Sequence, residues 1–185
     1  MKNIYTICII SLSIIIIFTV VLCTRSFGSF QTHQKLMDEN EPYIADELKH
    51  YFSEHGYTNE LSLSDLKAEY LYSDKSYLSV CYSGFMENET AAYPINFKWG
   101  ITIDLNSHKK ALLSDFVTVD EDLRHYINAK LAQKFHDNSQ SIGPYSDMNS
   151  FSFYQANGRL MILIDVIHNI GDFAEIEVPV QEFSS

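Results

Sequence analysis

Between Asn3 and Thr24 no position carries a charged side chain, and the centre of the stretch reads Ser13, Ile14, Ile15, Ile16, Ile17, Phe18, Thr19, Val20, Val21, Leu22. Residues 4–23 are 20 positions, and a helix rising about 1.5 Å per residue gives them roughly 30 Å, the thickness of one hydrocarbon core. Residues 26–40 are polar, and then the period becomes helical. Pro42 holds a first-turn position, Ile44, Leu48, Tyr51 and Phe52 recur at helical spacing, and Gly56 offers a stop. Phe30, Met37, Ile44 and Tyr51 also stand seven apart, which leaves open a longer helix or a pairing of two chains; Pro42 and the polar positions between them argue against a sustained coiled coil.

From Leu66 onward the alternation changes to period two with aromatic and β-branched residues, the mark of strands on a half-buried sheet. Residues 68–72, 77–85 and 96–105 are the predicted strands, with turns at 73–75 and 87–90. The polar loop Asn106 to Lys110 is a hairpin-like turn leading to Leu112 and Leu113. A second helix is predicted over 120–135, where Leu123, Tyr126, Ile127, Lys130, Leu131 and Phe135 repeat at three and four. Asp120, Glu121 and Asp122 in its first turn complement the positive end of the helix dipole. After a Gly- and Pro-containing loop over 138–149, strands are predicted at 151–154, 160–167 and 174–180, with Asn157 and Gly158 as a tight turn. The predicted fold is α+β: a mixed, mainly antiparallel sheet with two amphipathic helices, preceded by one N-terminal transmembrane helix.

Composition fits this division. At 46% hydrophobic and 20% charged, the 185 residues suit one globular domain with an appendage. Three fates compete for the appendage: a cleaved signal peptide with Ser26, Phe27 and Gly28 at the site, a lipoprotein using Cys23, and an uncleaved anchor. The long apolar stretch disfavours the first, Leu22 before Cys23 disfavours the second, and length favours the third. The expected boundaries are an anchor at 1–25, a stalk at 26–41 and an extracytoplasmic domain at 42–183. Lys2 stays inside on this reading, although Arg25 weakens the charge asymmetry that sets orientation. Cys8 and Cys23 fall in the apolar stretch, so Cys81 has no disulfide partner in the domain and is expected to be a buried thiol.

Charge narrows the partners. All 24 Asp and Glu but only 11 of the 13 Lys and Arg lie beyond Arg25, a net −13 for residues 26–185. Nucleic acid, which demands a basic face, is excluded, and a cationic partner is favoured kinetically. Seven histidines raise a metal hypothesis, yet His50 and His55 are five apart, His125 and His136 eleven, and neither a His-Glu-x-x-His nor a Cys-x-x-Cys is present. No nucleophile elbow or phosphate-cradling glycine loop occurs either, so neither catalytic residues nor cofactors are expected. Asp172 with Glu175 has the composition of an acid–base pair, but carboxylates are too abundant here for the pair to be informative; Asp165 with His168 has that of a dyad, but residues three apart on a strand face opposite sides. Asn88, Glu89 and Thr90 form a glycosylation sequon. Asp104 and Asp115 are expected to accept local backbone hydrogen bonds rather than to take part in chemistry.

The order Leu78, Ser79, Val80, then Ala92, Tyr93, Pro94, then Thr102, Ile103, Asp104, Leu105, Lys109 and Leu113, Ser114, Asp115, Phe116 resembles a bacterial extracytoplasmic module. That module is found beside peptidoglycan deacetylase domains and in lysozyme-responsive anti-sigma factors. The tail Phe153, Tyr154, Leu160, Ile162, Ile164, Val166, Gly171, Val178, Pro179, Val180 is similar to the module that follows it, the two being domains of unknown function numbered 4163 and 3298. The resemblance covers 42–136 and 150–183. The family's Gly-Gly-Ala-His turn is replaced here by Glu89, Thr90, Ala91, Ala92 and Tyr93, so no role for that histidine carries over. With three residues ahead of Ile4, a sigma factor is not an expected partner. The resemblance implies a membrane-anchored binding or sensing domain of the cell envelope, for lysozyme or another cationic protein. The alternatives are a peptidoglycan-binding module, with Tyr, Phe and Trp99 as stacking faces, and a carbohydrate-active enzyme with two converging carboxylates. Asp172, Glu175 and Glu177, near the last bend, are the expected ligand-binding residues, because loops at strand ends present side chains outward.

Overall fold

The computed structural model describes residues 33–54, 63–86, 94–135, 141–156, 158–166 and 171–183. The apolar segment 4–23, Gly56, the sequon at 88–90, Asn157 and His168 lie outside the described residues. Two compact units divide the chain, Met1–Glu41 and Pro42–Ser185. Among the described residues no helix is long and apolar enough to cross a membrane.

Residues 33–54 (α1) are helical, so helix begins nine positions before Pro42, inside the span read as stalk. The polar positions there sustain helix by i,i+4 pairing: Gln34 donates to Asp38 at 2.8 Å, Lys35 lies 3.6 Å from Glu39, and the Asn40 amide donates to the Leu36 carbonyl at 2.8 Å. Proline supplies no amide hydrogen, and the helix continues through it without that one bond.

In the second unit four strands, β1 (Lys67–Ser73), β2 (Tyr77–Met86), β3 (Ile95–Asp104) and the two-residue β4 (Lys109–Lys110), form one sheet in sequence order. β5 (Ser152–Ala156), β6 (Arg159–Asp165) and β7 (Phe173–Val178) form a second. Every pairing is antiparallel. The expectation of one mixed sheet is therefore corrected to two antiparallel sheets, while the α+β class and the two helices stand. α2 is Glu121–Phe135.

Within the second unit, residues 42–54 of α1, the two sheets and α2 stack in four layers. One face of the first sheet carries Phe97, Trp99, Ile101 and Ile103 and meets α1: Phe52 lies 5.1 Å from the Phe97 ring, and Tyr51 lies 6.3 Å from Trp99. The outer face of the second sheet carries Phe153, Leu160, Ile162, Ala174, Ile176 and Val178 and packs on Leu123, Ile127 and Leu131 of α2. Between these apolar layers the sheets meet through small and polar residues and the buried cluster of Cys81, Tyr154 and Leu163. The Ser152 hydroxyl accepts from Gly100 N at 2.7 Å and donates to Gly100 O at 2.9 Å. Ser79 and Thr102 share a hydrogen bond at 2.8 Å, and Ser79 Oγ accepts from Gln155 N at 2.7 Å. A Cβ at Gly100 would stand 2.9 Å from the Phe153 carbonyl carbon and oxygen, so glycine alone permits this backbone approach.

The loop after β3 is a hydrogen-bonded turn. Asp104 accepts from Asn106 N and the Ser107 hydroxyl at 2.8 and 2.9 Å, and His108 adopts a positive φ of 54°. Asp115 accepts from Leu112 N at 2.7 Å. Both carboxylates bond locally, as their positions predict.

Candidate functional site

Lys98 lies between Phe97 and Trp99 on β3, where alternation turns its side chain toward the second sheet instead of solvent. Only 9% of it is exposed. Its ammonium is 2.9 Å from Glu175 on β7 and 3.2 Å from Glu69 on β1, and it sits 5.7 and 5.8 Å from the centres of the Tyr154 and Phe173 rings. Tyr154 donates its hydroxyl to the other oxygen of Glu175, and Ser83 donates to Glu69 at 2.8 Å. Burial alone would lower the Lys98 pKa, but the Glu175 and Glu69 carboxylates outweigh it and raise the value above the ordinary lysine range. The Ser83 hydrogen bond, together with Lys98 and against burial, holds Glu69 below the usual glutamate value. Both shifts favour the charged forms of Lys98 and Glu69.

Beside the triad lies a recess of about 500 Å³, walled by Glu69, Ser83, Phe85, Asn96, Lys98 and Phe173. Phe85 is 71% exposed at its mouth. A second recess of about 430 Å³ runs between α2 and β7, with Lys130, Lys134 and Glu177 at its rim. There the Tyr126 hydroxyl donates to the Glu177 carbonyl at 3.0 Å.

The three residues expected near the last bend part company. Asp172 is 8% exposed and points inward; its φ of 64° turns the carboxylate onto β3, where it accepts from Asn96 N and Nδ2 at 2.7 and 2.9 Å. The rule that strand-end side chains face outward fails there because Asn96 supplies two donors. Glu175 belongs to the Lys98 triad. Glu177 alone is largely exposed, paired to Arg159 at 3.1 Å. Asp172 and Glu175 thus answer to different partners and do not converge as an acid and base. Trp99, 1% exposed, offers no stacking face.

Sequence reasoning missed Lys98, Glu69 and Phe85. Its one usable signal was Gly100 in mid-strand, which marks a close approach and hence a covered face. Another aromatic side chain, Tyr145, is 98% exposed at the tip of a Gly143–Ser146 turn closed by a 3.2 Å hydrogen bond. Arg124 pins that turn by donating to the Gly143 and Ser146 carbonyls, and Asn128 bonds both backbone groups of Ile142.

Cys81 lies beneath the triad, fully buried with Tyr154 and Leu163. Burial, then the charges of Glu175 and Glu69 against that of Lys98, pushes its thiol up to about 12. A thiol whose folded value exceeds the ordinary 9.0 leaves stability intact below about pH 9 and drains it as pH climbs toward the folded value. We expect the wild-type melting temperature to fall between pH 9 and 11 more steeply than that of Cys81→Ala; parallel curves would place the thiol in contact with water. Among the described residues no cluster of three or more His, Cys, Asp or Glu is arranged to hold a metal. No family model matches the chain, and no curated protein matches it.

Proposed function

We propose that the chain is a membrane-anchored, extracytoplasmic binding domain of the cell envelope whose partner is a cationic protein such as lysozyme. The observation that carries the reading is charge: residues 26–185 hold a net −13, and long-range attraction of that sign raises the encounter rate of a basic partner. The uncharged segment 4–23 supports the anchor, and the order of motifs over 42–136 and 150–183 supports kinship with the envelope modules they resemble. Glu69 and Glu175 do converge, but on the ammonium between them, which suits an ion triad better than a hydrolytic pair.

The test is the salt dependence of association between the full chain and immobilised lysozyme. The Debye length falls from about 30 Å at 0.01 M to about 8 Å at 0.15 M salt. The association rate should drop at least tenfold over that range, while dissociation changes less. The fixed, exposed Tyr145 favours a second reading, a module that stacks on wall glycan. Salt-independent binding to purified wall polysaccharide, with none to lysozyme, would establish that reading and overturn the first.

A further inference from the structure

We infer that the recess beside the Lys98 triad receives an arginine or lysine side chain of the partner, its stem against Phe85 and its charge toward Glu69 and Asp65. The inference rests on the cationic-partner reading and makes it specific to one place. Three carboxylates, Asp65, Glu69 and Glu175, face two ammonium groups, Lys67 and Lys98, in and beside this recess, so its balance is negative. Both carboxylates of the triad already bond Lys98, and an incoming anion would have to compete with them. A cation adds a further donor to Glu69 beside Lys98 and the Ser83 hydroxyl, since a carboxylate accepts several, and it finds an aromatic face, because Phe85 stands 71% exposed at the mouth. The fold holds its own buried cation in the same manner, with Lys98 over Tyr154 and Phe173. The volume, about 500 Å³, accommodates one long side chain and its backbone, and a methylene stem laid on a ring while its head stays hydrated is the ordinary behaviour of these residues.

The experiment titrates the full chain, in a neutral detergent at 0.15 M salt, with a hexa-arginine peptide and with its uncharged hexa-citrulline counterpart. Phe85→Ala should weaken hexa-arginine binding about five- to tenfold, the loss expected of one cation–π and stem contact, with an unchanged melting temperature because the ring is exposed. Lys67→Glu should strengthen it about fivefold, whereas Lys75→Glu, an equal change of net charge in the turn beyond the far end of β1, should not, since screening confines the effect to about 8 Å. Wild-type binding that none of the three variants alters would overturn the recess while leaving diffuse attraction to basic partners standing. Equal binding of hexa-citrulline would overturn it in favour of a neutral ligand. No binding of hexa-arginine by the wild type would remove the cationic-partner reading as well.

Discussion

Lys98→Ala is expected to cost the folded state about 3 kcal/mol. Removing one partner of a buried ion pair typically costs about 3 to 5 kcal/mol, because the remaining charge stays desolvated and unpaired. The lower end applies here, since Glu69 and Glu175 keep 32% and 24% of their side-chain surface in water and can be partly rehydrated. Such a loss is a large share of the roughly 5 to 15 kcal/mol that holds a domain together. The cause can be separated from lost packing by a rescue: Lys98→Met with Glu69→Gln and Glu175→Gln leaves no orphaned charge and should recover most of the deficit. The pH window follows from the shifts. Glu69, with a lowered folded value, contributes stability that is present above its ordinary 4.5 and lost as pH falls through the folded value. Lys98, with a raised one, contributes stability fully present below its ordinary 10.5 and lost as pH rises through the folded value. Urea unfolding that found a deficit under about 1 kcal/mol, the range of exposed pairs, would contradict the burial of the triad.

Gly100→Ala should be nearly as damaging, at roughly 2 to 4 kcal/mol from overpacking together with two strained hydrogen bonds. The added methyl would meet the Phe153 backbone at 2.9 Å and Tyr154 Cβ at 3.1 Å. Backbone cannot swing aside as a side-chain end can. The two sheets would have to separate, stretching both bonds between Ser152 and Gly100. An alanine variant that melts at the wild-type temperature would show the strands to stand farther apart than the 2.9 Å approach requires.

Both residues explain how far sequence reasoning reaches in this fold. The strands are legible because period-two alternation survives burial of one face, and α2 because Leu123, Ile127 and Leu131 repeat along one stripe. The division into two sheets is not legible, because residues 97–103 of β3 are buried on both sides while its second side carries Lys98, Gly100 and Thr102. Those residue types, met in alternation with Phe97, Trp99 and Ile101, spell a water-facing surface. A buried lysine is written like an exposed one until Glu69 and Glu175, 29 and 77 positions away, are brought to it by folding. Glu175 was reached from sequence through its nearness to a bend, yet what places it is the triad. Asp172 was reached by the same argument and lies inward, for a reason, Asn96, that sequence keeps 76 positions distant.

The apolar layer on α2 bears on how the domain could have come together and how it can be handled. The hydrophobic stripe of that helix belongs to the stretch 42–136, but the strands that cover it belong to 150–183, and the serine–glycine and lysine–glutamate links join the same two stretches from the opposite side. A break between them would strip α2 of the strands that cover it and uncover the polar face of β3. The two stretches are therefore interlocked halves of one cooperative body, and a graft, fusion or truncation that respects the fold must carry both or neither.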